Sequence, residues 1–263
     1  MMNTVKKPIG HTIWLKIVLT ILFFVPAYSQ VAYDPAEISN LIAAVLSNPF
    51  VVQIAWLLPI FHLLLLCAVI FSVMDFRVSK QVILGYYSFI LVIVAVFQNM
   101  AITEAYGFVF LVGNMLPQFI VIAFCVYDLI KRKTTIKSKN LDKTRLWITP
   151  LMLLAFLMPY SVNSIGNIYP SIALRITYNE AGVTYCMITP IVIGVMLLYS
   201  KGVDKATLSV ISYVGFIFGL LNMLTWFIMN LNNWWMGVLH LPLFIIAFYG
   251  LVVAYKEKSN IRK

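Results

Sequence analysis

Long apolar runs separated by short polar segments are the main pattern of this chain. Most of the eight runs approach or exceed the ~20 residues that a helix needs to cross ~30 Å of hydrocarbon. The predicted membrane helices are about Ile13–Tyr28, Val52–Met74, Val82–Ile102, Gly107–Ile130, Leu146–Ser161, Met187–Ser200, Ala206–Met229 and Trp234–Tyr255. The fifth and sixth are short, and we expect them to extend into the loop that joins them. The pattern therefore predicts an all-α integral membrane protein with eight transmembrane helices.

A shorter helix is predicted between the first two spans. Asp34-Pro35-Ala36-Glu37 has an N-cap residue, a proline at the first helical position and an acidic residue two positions later. Apolar residues then recur at helical spacing until Asn48-Pro49. We expect a short amphipathic helix in the first outer loop, lying on the bilayer or, as we prefer, capping the helix bundle. The loop 162–186 does not repeat it, and the alternation over Ser171–Tyr178 fits a strand or a distorted helix equally.

Several short matches indicate a duplicated chain. Leu116-Pro117-x-Phe119-Ile120 recurs as Leu241-Pro242-x-Phe244-Ile245, 125 positions further along. The residues Trp14, Phe23 and Pro26 recur with the same spacing as Trp147, Phe156 and Pro159. We predict two four-helix repeats, residues 1–133 and 134–263. An even number of crossings in each makes the repeats parallel, related by an axis along the membrane normal.

The first run also has the features of a secretory signal peptide. Lys6-Lys7, a short apolar core and Ala27-Tyr28-Ser29 fit a charged start and a cleavage site. The repeat favours a retained membrane helix, because its second copy lies in the middle of the chain. We expect Lys16, near the start of this helix, to extend its ammonium group toward the membrane surface.

The composition and the charge distribution support a membrane location and indicate an orientation. Of 263 residues, 62% are hydrophobic and 11% are charged, so the apolar excess must face lipid. A formal charge of +10 would also suit nucleic-acid binding, but the basic residues lie between apolar runs, and we expect no nucleic-acid partner. With the N-terminus inside, 18 of the 19 Lys and Arg residues lie on the inner side, and only Arg175 lies outside. The positive-inside rule therefore predicts a multi-pass plasma-membrane protein with both termini in the cytoplasm.

Polar side chains within the apolar runs are the candidate binding residues. Such groups are unfavourable in lipid and often mark solute pathways. The candidates are His62, Asn99, Asn114, Gln118, Asn222, Thr225 and His240. All lie near the middle of the membrane or in its outer half, at the depth of four prolines that free backbone carbonyls: Pro59, Pro117, Pro190 and Pro242. Two interpretations stay open for this layer: an outward-facing polar cavity between the repeats, or hydrogen bonds that hold neighbouring helices together.

Other features limit the chemistry of the chain. No acidic residue is predicted near the midplane; Asp128 is expected to pair with Lys131 at the inner interface. No motif for a nucleophile, a metal or a cofactor is present, so we expect no catalytic residues, no metal and no cofactor. Cys67, Cys125 and Cys186 are isolated and are interpreted as packing residues. Gly215-x-x-x-Gly219 predicts a close-packed helix face.

These observations favour a transporter or permease for a small solute. One alternative is a non-catalytic accessory or assembly subunit, whose basic linker 131–146 contacts a cytoplasmic or membrane protein partner. A less favoured alternative is a membrane-embedded lipid-modifying enzyme that uses His62 or His240 as a general base.

Overall fold

A computed structural model of the chain describes residues 9–74, 81–162, 168–171 and 182–260. Most of these residues are helical. The α-helices are α1 (Ile13–Leu22), α2 (Ile38–Ser47), α3 (Leu58–Val73), α4 (Val82–Ile93), α5 (Val112–Lys131), α6 (Thr149–Leu157), α7 (Tyr185–Leu198), α8 (Lys205–Leu224) and α9 (Trp234–Asn260). The strands are β1 (Tyr28–Ser29), β2 (Met100–Thr103), β3 (Gly107–Phe110), β4 (Tyr160–Val162) and β5 (Ile168–Pro170).

Four helical runs among the described residues are long and apolar enough to cross a membrane. They are Pro35–Ile54, Val112–Lys131, Lys205–Met229 and Leu231–Lys256. Four shorter apolar helices accompany them: Ile13–Leu22, Leu58–Val73, Val82–Gln98 and Tyr185–Leu198. These helices support a membrane location for the chain.

The run Pro35–Ile54 includes the segment that we predict to lie outside the bilayer. The structure confirms its start, because the Asp34 side chain accepts a hydrogen bond from the amide of Ala36 at 2.9 Å. Its helical geometry is interrupted at Asn48 (φ −144°, ψ 57°), and 3-10 turns follow from Phe50 to Leu57. The break argues against a single straight crossing by this run.

Several predicted membrane helices have strands at the ends that we predict to face outside. Strands β1, β3 and β2 form an antiparallel sheet in that order, and β4 pairs with β5. The turn between β2 and β3 contains Glu104, and β3 begins at Gly107 with φ 64°, a conformation that glycine adopts without strain. The prediction of an all-α protein is therefore wrong at these ends. Segments rich in aromatic and β-branched residues pair as hairpins there instead of continuing the helices.

Helix α2 packs on the three-stranded sheet. Leu41 and Val45 of α2 and Ala101 and Val109 of the sheet are fully buried, and they form a small apolar cluster with Leu111. This contact is with a sheet, so the preferred prediction that the helix caps the helix bundle stays a prediction. Its position relative to a membrane remains a prediction.

The predicted extension of helices five and six is wrong for the fifth. Helix α6 ends at Leu157, because Met158 adopts a left-handed conformation (φ 36°) and β4 follows. Most of Ser171–Tyr178, for which strand and distorted helix were left open, lies outside the described residues.

Helix α7 is the centre of the molecule. Every side chain from Met187 to Leu198 is buried, and α7 contacts α3, α4, α6, α8 and α9. Helices α4, α5, α8 and α7 contact one another in a closed order, α4 with α5, α5 with α8, α8 with α7 and α7 with α4. We call this arrangement the four-helix ring; it takes two helices from each half of the chain.

The predicted Gly215/Gly219 packing face is confirmed. A Cβ atom at Gly219 would lie 2.8 Å from the Cα atom of Phe244, and one at Gly215 would lie 3.3 Å from the Cβ atom of Ala247. The missing side chains therefore let α8 approach α9 closely.

Two expectations about charged residues are wrong. Lys16 does not reach the membrane surface: it is buried, and its Nζ donates to the carbonyl (2.9 Å) and the hydroxyl (3.0 Å) of Ser209 on α8. Asp128 is not paired with Lys131. Its carboxylate accepts hydrogen bonds from the amide and the hydroxyl of Thr134, both at 2.7 Å. Lys16 binds a residue that is distant in sequence, and Asp128 binds a residue beyond the end of its own helix. Residue spacing within one helix gives no signal for either contact.

Candidate functional site

The seven candidate residues divide between the four-helix ring and the helices outside it. Asn99 follows α4, Asn114 and Gln118 lie on α5, and Asn222 and Thr225 lie on α8 and the turn after it. His62 on α3 and His240 on α9 belong to helices outside the ring. Five of the candidates therefore lie on or next to helices of the four-helix ring.

The third predicted span of each half ends in a π-helical turn. Val94–Gln98 continues α4, and Thr225–Met229 continues α8. π-Helical turns change the backbone hydrogen bonding and often occur at functional sites. Asn99 follows the first turn, and Thr225 begins the second, so one candidate lies at an end of each π turn.

Asn99 is buried and bonded to its own turn. Its side-chain amide donates to the carbonyl of Ala95 at 3.0 Å, and its backbone carbonyl accepts from the amide of Leu111 at 2.9 Å. Asn99 therefore joins the end of α4 to the segment that begins α5. The Thr225 hydroxyl likewise donates to a carbonyl of its own helix, that of Leu221, at 3.0 Å.

Asn222 connects two helices of the ring. Its amide donates to the carbonyl of Phe218 at 2.8 Å and contacts the sulfur of Cys186 on α7 at 3.4 Å. The neighbouring ring pair Tyr185 and Phe218 also joins α7 to α8, with centroids 4.5 Å apart.

Gln118 is the most deeply buried candidate on α5. The side chain is 1% exposed, and its Oε1 has no hydrogen-bond partner among the described residues. Asn114, one turn earlier, is partly exposed. It follows Gly113, where a Cβ atom would lie 2.7 Å from the carbonyl oxygen of Phe23, so α5 begins in close contact with the end of α1.

The two histidines are buried next to aromatic rings. The ring of His62 lies 4.1 Å from that of Phe156, which places α3 against α6. The Nδ1 atom of His240 lies 2.8 Å from the carbonyl oxygen of Met236, and its ring lies 6.0 Å from that of Trp226. The histidines are on different helices and do not form one cluster with the amides described above.

A hydroxyl pair at the middle of the ring was not predicted from the sequence. The hydroxyl groups of Tyr87 on α4 and Thr189 on α7 are 2.9 Å apart and fully buried. Tyr185, one helical turn before Thr189, is also buried, and its hydroxyl interacts with those of Tyr87 and Thr189. Tyrosine and threonine are common in apolar runs, so only the position of Thr189 beside Pro190 could have drawn attention to it.

Gln98 is a second residue whose role the sequence did not reveal. Its side-chain oxygen accepts a hydrogen bond from the amide of Tyr185, the first residue of α7, at 3.0 Å. Amides at a helix N-terminus have no partner within the helix. The π turn of the first half therefore caps the central helix of the second half.

A third polar contact between the halves lies near the other end of the ring. Besides the bonds from Lys16 to Ser209, the hydroxyl groups of Thr20 on α1 and Tyr213 on α8 are 2.7 Å apart. The Lys16 ammonium also lies 4.6 Å from the centre of the Tyr213 ring. The buried Lys16 side chain of this cluster has neutral groups as its hydrogen-bond partners.

The amide and hydroxyl side chains described above offer hydrogen bonds without negative charge. Amide and hydroxyl groups can donate and accept hydrogen bonds but cannot act as strong bases or hold a cation by charge. Among the described residues, no three His, Cys, Asp or Glu side chains come together in a way that could hold a metal ion. The arrangement is suited to recognising a neutral polar molecule.

The chain matches no protein-family model, and no curated protein or solved structure is detectably similar to it.

Proposed function

We propose that this chain is a plasma-membrane transporter for a small, neutral, polar solute. In this proposal it crosses the membrane eight times as two parallel four-helix repeats, residues 1–133 and 134–263, with both termini in the cytoplasm. The solute enters an outward-facing cavity between the repeats and binds among the polar side chains of the four-helix ring.

The observation that carries the proposal is the set of neutral polar contacts at the junction of the halves. Gln98 with Tyr185, and Tyr87 with Thr189, join α4 to α7 at two successive levels. Buried amides and hydroxyls in a membrane protein exchange partners at small net free energy, because each measured interhelical hydrogen bond contributes only about 0.6 kcal/mol. A solute with hydroxyl or amide groups can replace such partners as the halves move apart.

One buried amide of the ring has unused hydrogen-bonding capacity. The Gln118 Oε1 lacks a hydrogen-bond partner among the described residues, although its side chain is only 1% exposed. Buried polar atoms normally have partners. A bound solute or a water molecule would satisfy it.

The charge distribution supports a neutral solute. The acidic groups nearest the inner ends of the ring helices, Asp128 and Asp204, are bonded to Thr134 and Thr207. No Asp or Glu lies within the described parts of α4, α7 or α8. A cationic solute would therefore meet no countercharge along these helices.

Cysteine accessibility tests the proposal. In a background with Cys67, Cys125 and Cys186 replaced by Ala, Asn222→Cys and Asn114→Cys are treated on intact cells with a membrane-impermeant thiol reagent. We expect both to be modified from outside. Leu221→Cys, one residue from Asn222 and 44% exposed on the apolar surface, should stay unmodified because lipid covers it.

Asn232→Cys is the positive control for reagent access, because Asn232 is exposed and the proposed orientation places the segment 230–233 outside. If it reacts while Asn222→Cys and Asn114→Cys do not, the outward-facing cavity is absent and the transport proposal fails.

A further inference from the structure

The linker 131–146 is folded against the inner ends of the membrane helices. At its start, Asp128 binds Thr134 through two hydrogen bonds, and the amide of Thr135 donates to the carbonyl of Gly202 at 2.7 Å. Ile136 is 1% exposed. The first part of the linker is therefore fixed to the turn between α7 and α8.

The end of the linker caps α7. The amide of Asp142 donates to the carbonyl of Leu198 at 2.7 Å, and Nη1 of Arg145 donates to the carbonyl of Leu197 at 3.0 Å. The last carbonyls of a helix lack partners within it, so these bonds satisfy groups that would otherwise be exposed or unpaired. The linker is thus a structured surface rather than a free tether.

Most basic side chains of this surface point away from the protein. Arg145 is buried and takes part in the cap, whereas six other basic residues are exposed. The exposed set, which we call the basic face, consists of Lys131, Arg132, Lys133, Lys139 and Lys143 together with Lys201 from the adjacent turn.

The nearby carboxylates are already engaged. Asp128 is fully buried on Thr134. Asp142 accepts from the Thr144 hydroxyl at 2.6 Å and pairs with Arg145 at 3.1 Å. Asp204 caps α8 through the amide of Thr207 and lies 4.0 Å from Lys133. The basic face therefore keeps a net positive charge that the described part of the protein does not neutralise.

Aromatic side chains show where this face lies relative to a bilayer. Tyr127 is half exposed on α5, and the Lys133 ammonium lies 4.6 Å from its ring centre. Trp147, also half exposed, packs on Tyr249 with ring centroids 5.1 Å apart. Exposed Tyr and Trp at the ends of apolar helices mark the membrane–water interface. The basic groups of the linker lie between Tyr127 and Trp147 in the sequence, which places them at the level of the lipid headgroups.

We propose that the basic face binds anionic phospholipid headgroups of the inner leaflet. Lysine and arginine donate charge-assisted hydrogen bonds to phosphate oxygens. A cluster of four to eight such residues directly beyond a membrane helix is typical of binding to acidic lipids. Because the linker also caps α7, lipid bound to this face stabilises the inner end of the central helix. The inference depends on the membrane location and is independent of the transport proposal.

Lipid retention by the full-length chain tests the inference. The purified protein is equilibrated in detergent with equal amounts of phosphatidylglycerol and phosphatidylcholine, and the lipids that stay bound are quantified by mass spectrometry. We expect phosphatidylglycerol to be in clear excess. The variant K131Q/R132Q/K139Q/K143Q should lower that preference about tenfold or more, because each basic group near an anionic surface contributes substantially to binding.

The variant K131R/K139R/K143R keeps the charge and should keep the preference. High salt should reduce the preference of the unmodified protein, since screening weakens exposed charge interactions. The salt measurement uses the unmodified protein, so it tests the inference even if the glutamine variant does not fold. A preference that survives both neutralisation and high salt overturns the inference.

A third measurement distinguishes binding of a lipid phosphate from binding of a free phosphate ion. If a few millimolar inorganic phosphate displaces the bound phosphatidylglycerol completely, the face recognises a free anion rather than a lipid, and the inference is overturned. Retention of the lipid under that condition supports it.

Discussion

Helices α3 and α7 are the second spanning helices of the two predicted repeats, yet their surroundings differ completely. In α3, buried positions such as Phe61, Leu65 and Ala68 lie on one side, and Leu63 and Leu64 are exposed on another. In α7, every residue from Met187 onward is buried. Both helices are apolar around their full circumference. The comparison shows that an apolar helix of this chain can either face lipid on one side or be enclosed by protein on all sides.

The ends of the two helices differ in the same way. α7 begins under the Gln98 side chain and ends under Asp142 and Arg145, so both ends are held by other segments. The first residue before α3 makes no side-chain cap, and its last turn is closed by the amide of Met74 on the carbonyl of Ile70. Enclosure and capping together make α7 the element on which both halves converge.

The largest expected difference between the two helices comes from shortening one apolar side chain on each. Ile193→Ala on α7 removes a fully buried side chain and should lower the free energy of unfolding by about 2–5 kcal/mol, because protein on all sides prevents the cavity from filling. Leu64→Ala on α3 removes a side chain that is 41% exposed, and lipid or detergent can fill the space. Its effect should be less than about 1 kcal/mol. Thermal unfolding in detergent measures both, and similar losses would mean that the two helices are equally enclosed.

A smaller effect tests the inner end of α7. A Cβ atom at Gly202 would overlap the backbone carbonyl of Thr135, which must move, so Gly202→Ala should lower the free energy of unfolding by about 1–3 kcal/mol. Gly85→Ala on α4 is the matched control, since nothing lies within 4 Å of its Cβ position. In a helix this change should be neutral or stabilising by up to about 1 kcal/mol. Equal destabilisation by the two substitutions would contradict the tight contact between the linker and the turn after α7.

The smallest expected effect is the pH dependence of stability that Asp142 contributes at the same end of α7. Hydrogen bonds from the Thr144 hydroxyl and amide, together with the charge of Arg145, hold the pKa of Asp142 below its ordinary value. A lowered pKa in the folded state gives stability that is complete above the unfolded value of about 3.9 and is lost as the pH falls through the folded value. The unfolding midpoint of the protein should therefore decrease from pH 6 to pH 3, by less in Asp142→Asn than in the unmodified protein. An identical decrease in both proteins would show that Asp142 does not contribute to the pH dependence of stability.

Part of the fold followed directly from the residues. The apolar runs predicted where most of the apolar helices lie, and Asp34-Pro35 predicted the observed cap of the 3-10 turn Pro35–Glu37 that leads into α2. Gly215 and Gly219 predicted close packing of α8, which occurs against α9. Each of these signals is local, since it depends on residues within one or two helical turns.

The candidate site was predictable only in part. Asn222 was identified from its polarity within an apolar run, and the structure adds its contact with Cys186. The Tyr87–Thr189 pair and the cap from Gln98 to Tyr185 join residues about ninety to one hundred positions apart. A single sequence carries no periodic signal for such contacts, so they were found only in the folded chain.

The sequence by itself determined that the chain forms apolar helices, where most of them lie and which loops carry positive charge. Only the tertiary structure decided that α7 is central, that the ends of several helices are strands, and that the linker 131–146 is folded onto α7. The physical reason is that lipid and protein interior are both apolar. A membrane helix therefore needs no polar face toward its surroundings, and its residues do not reveal which sides meet lipid and which meet other helices.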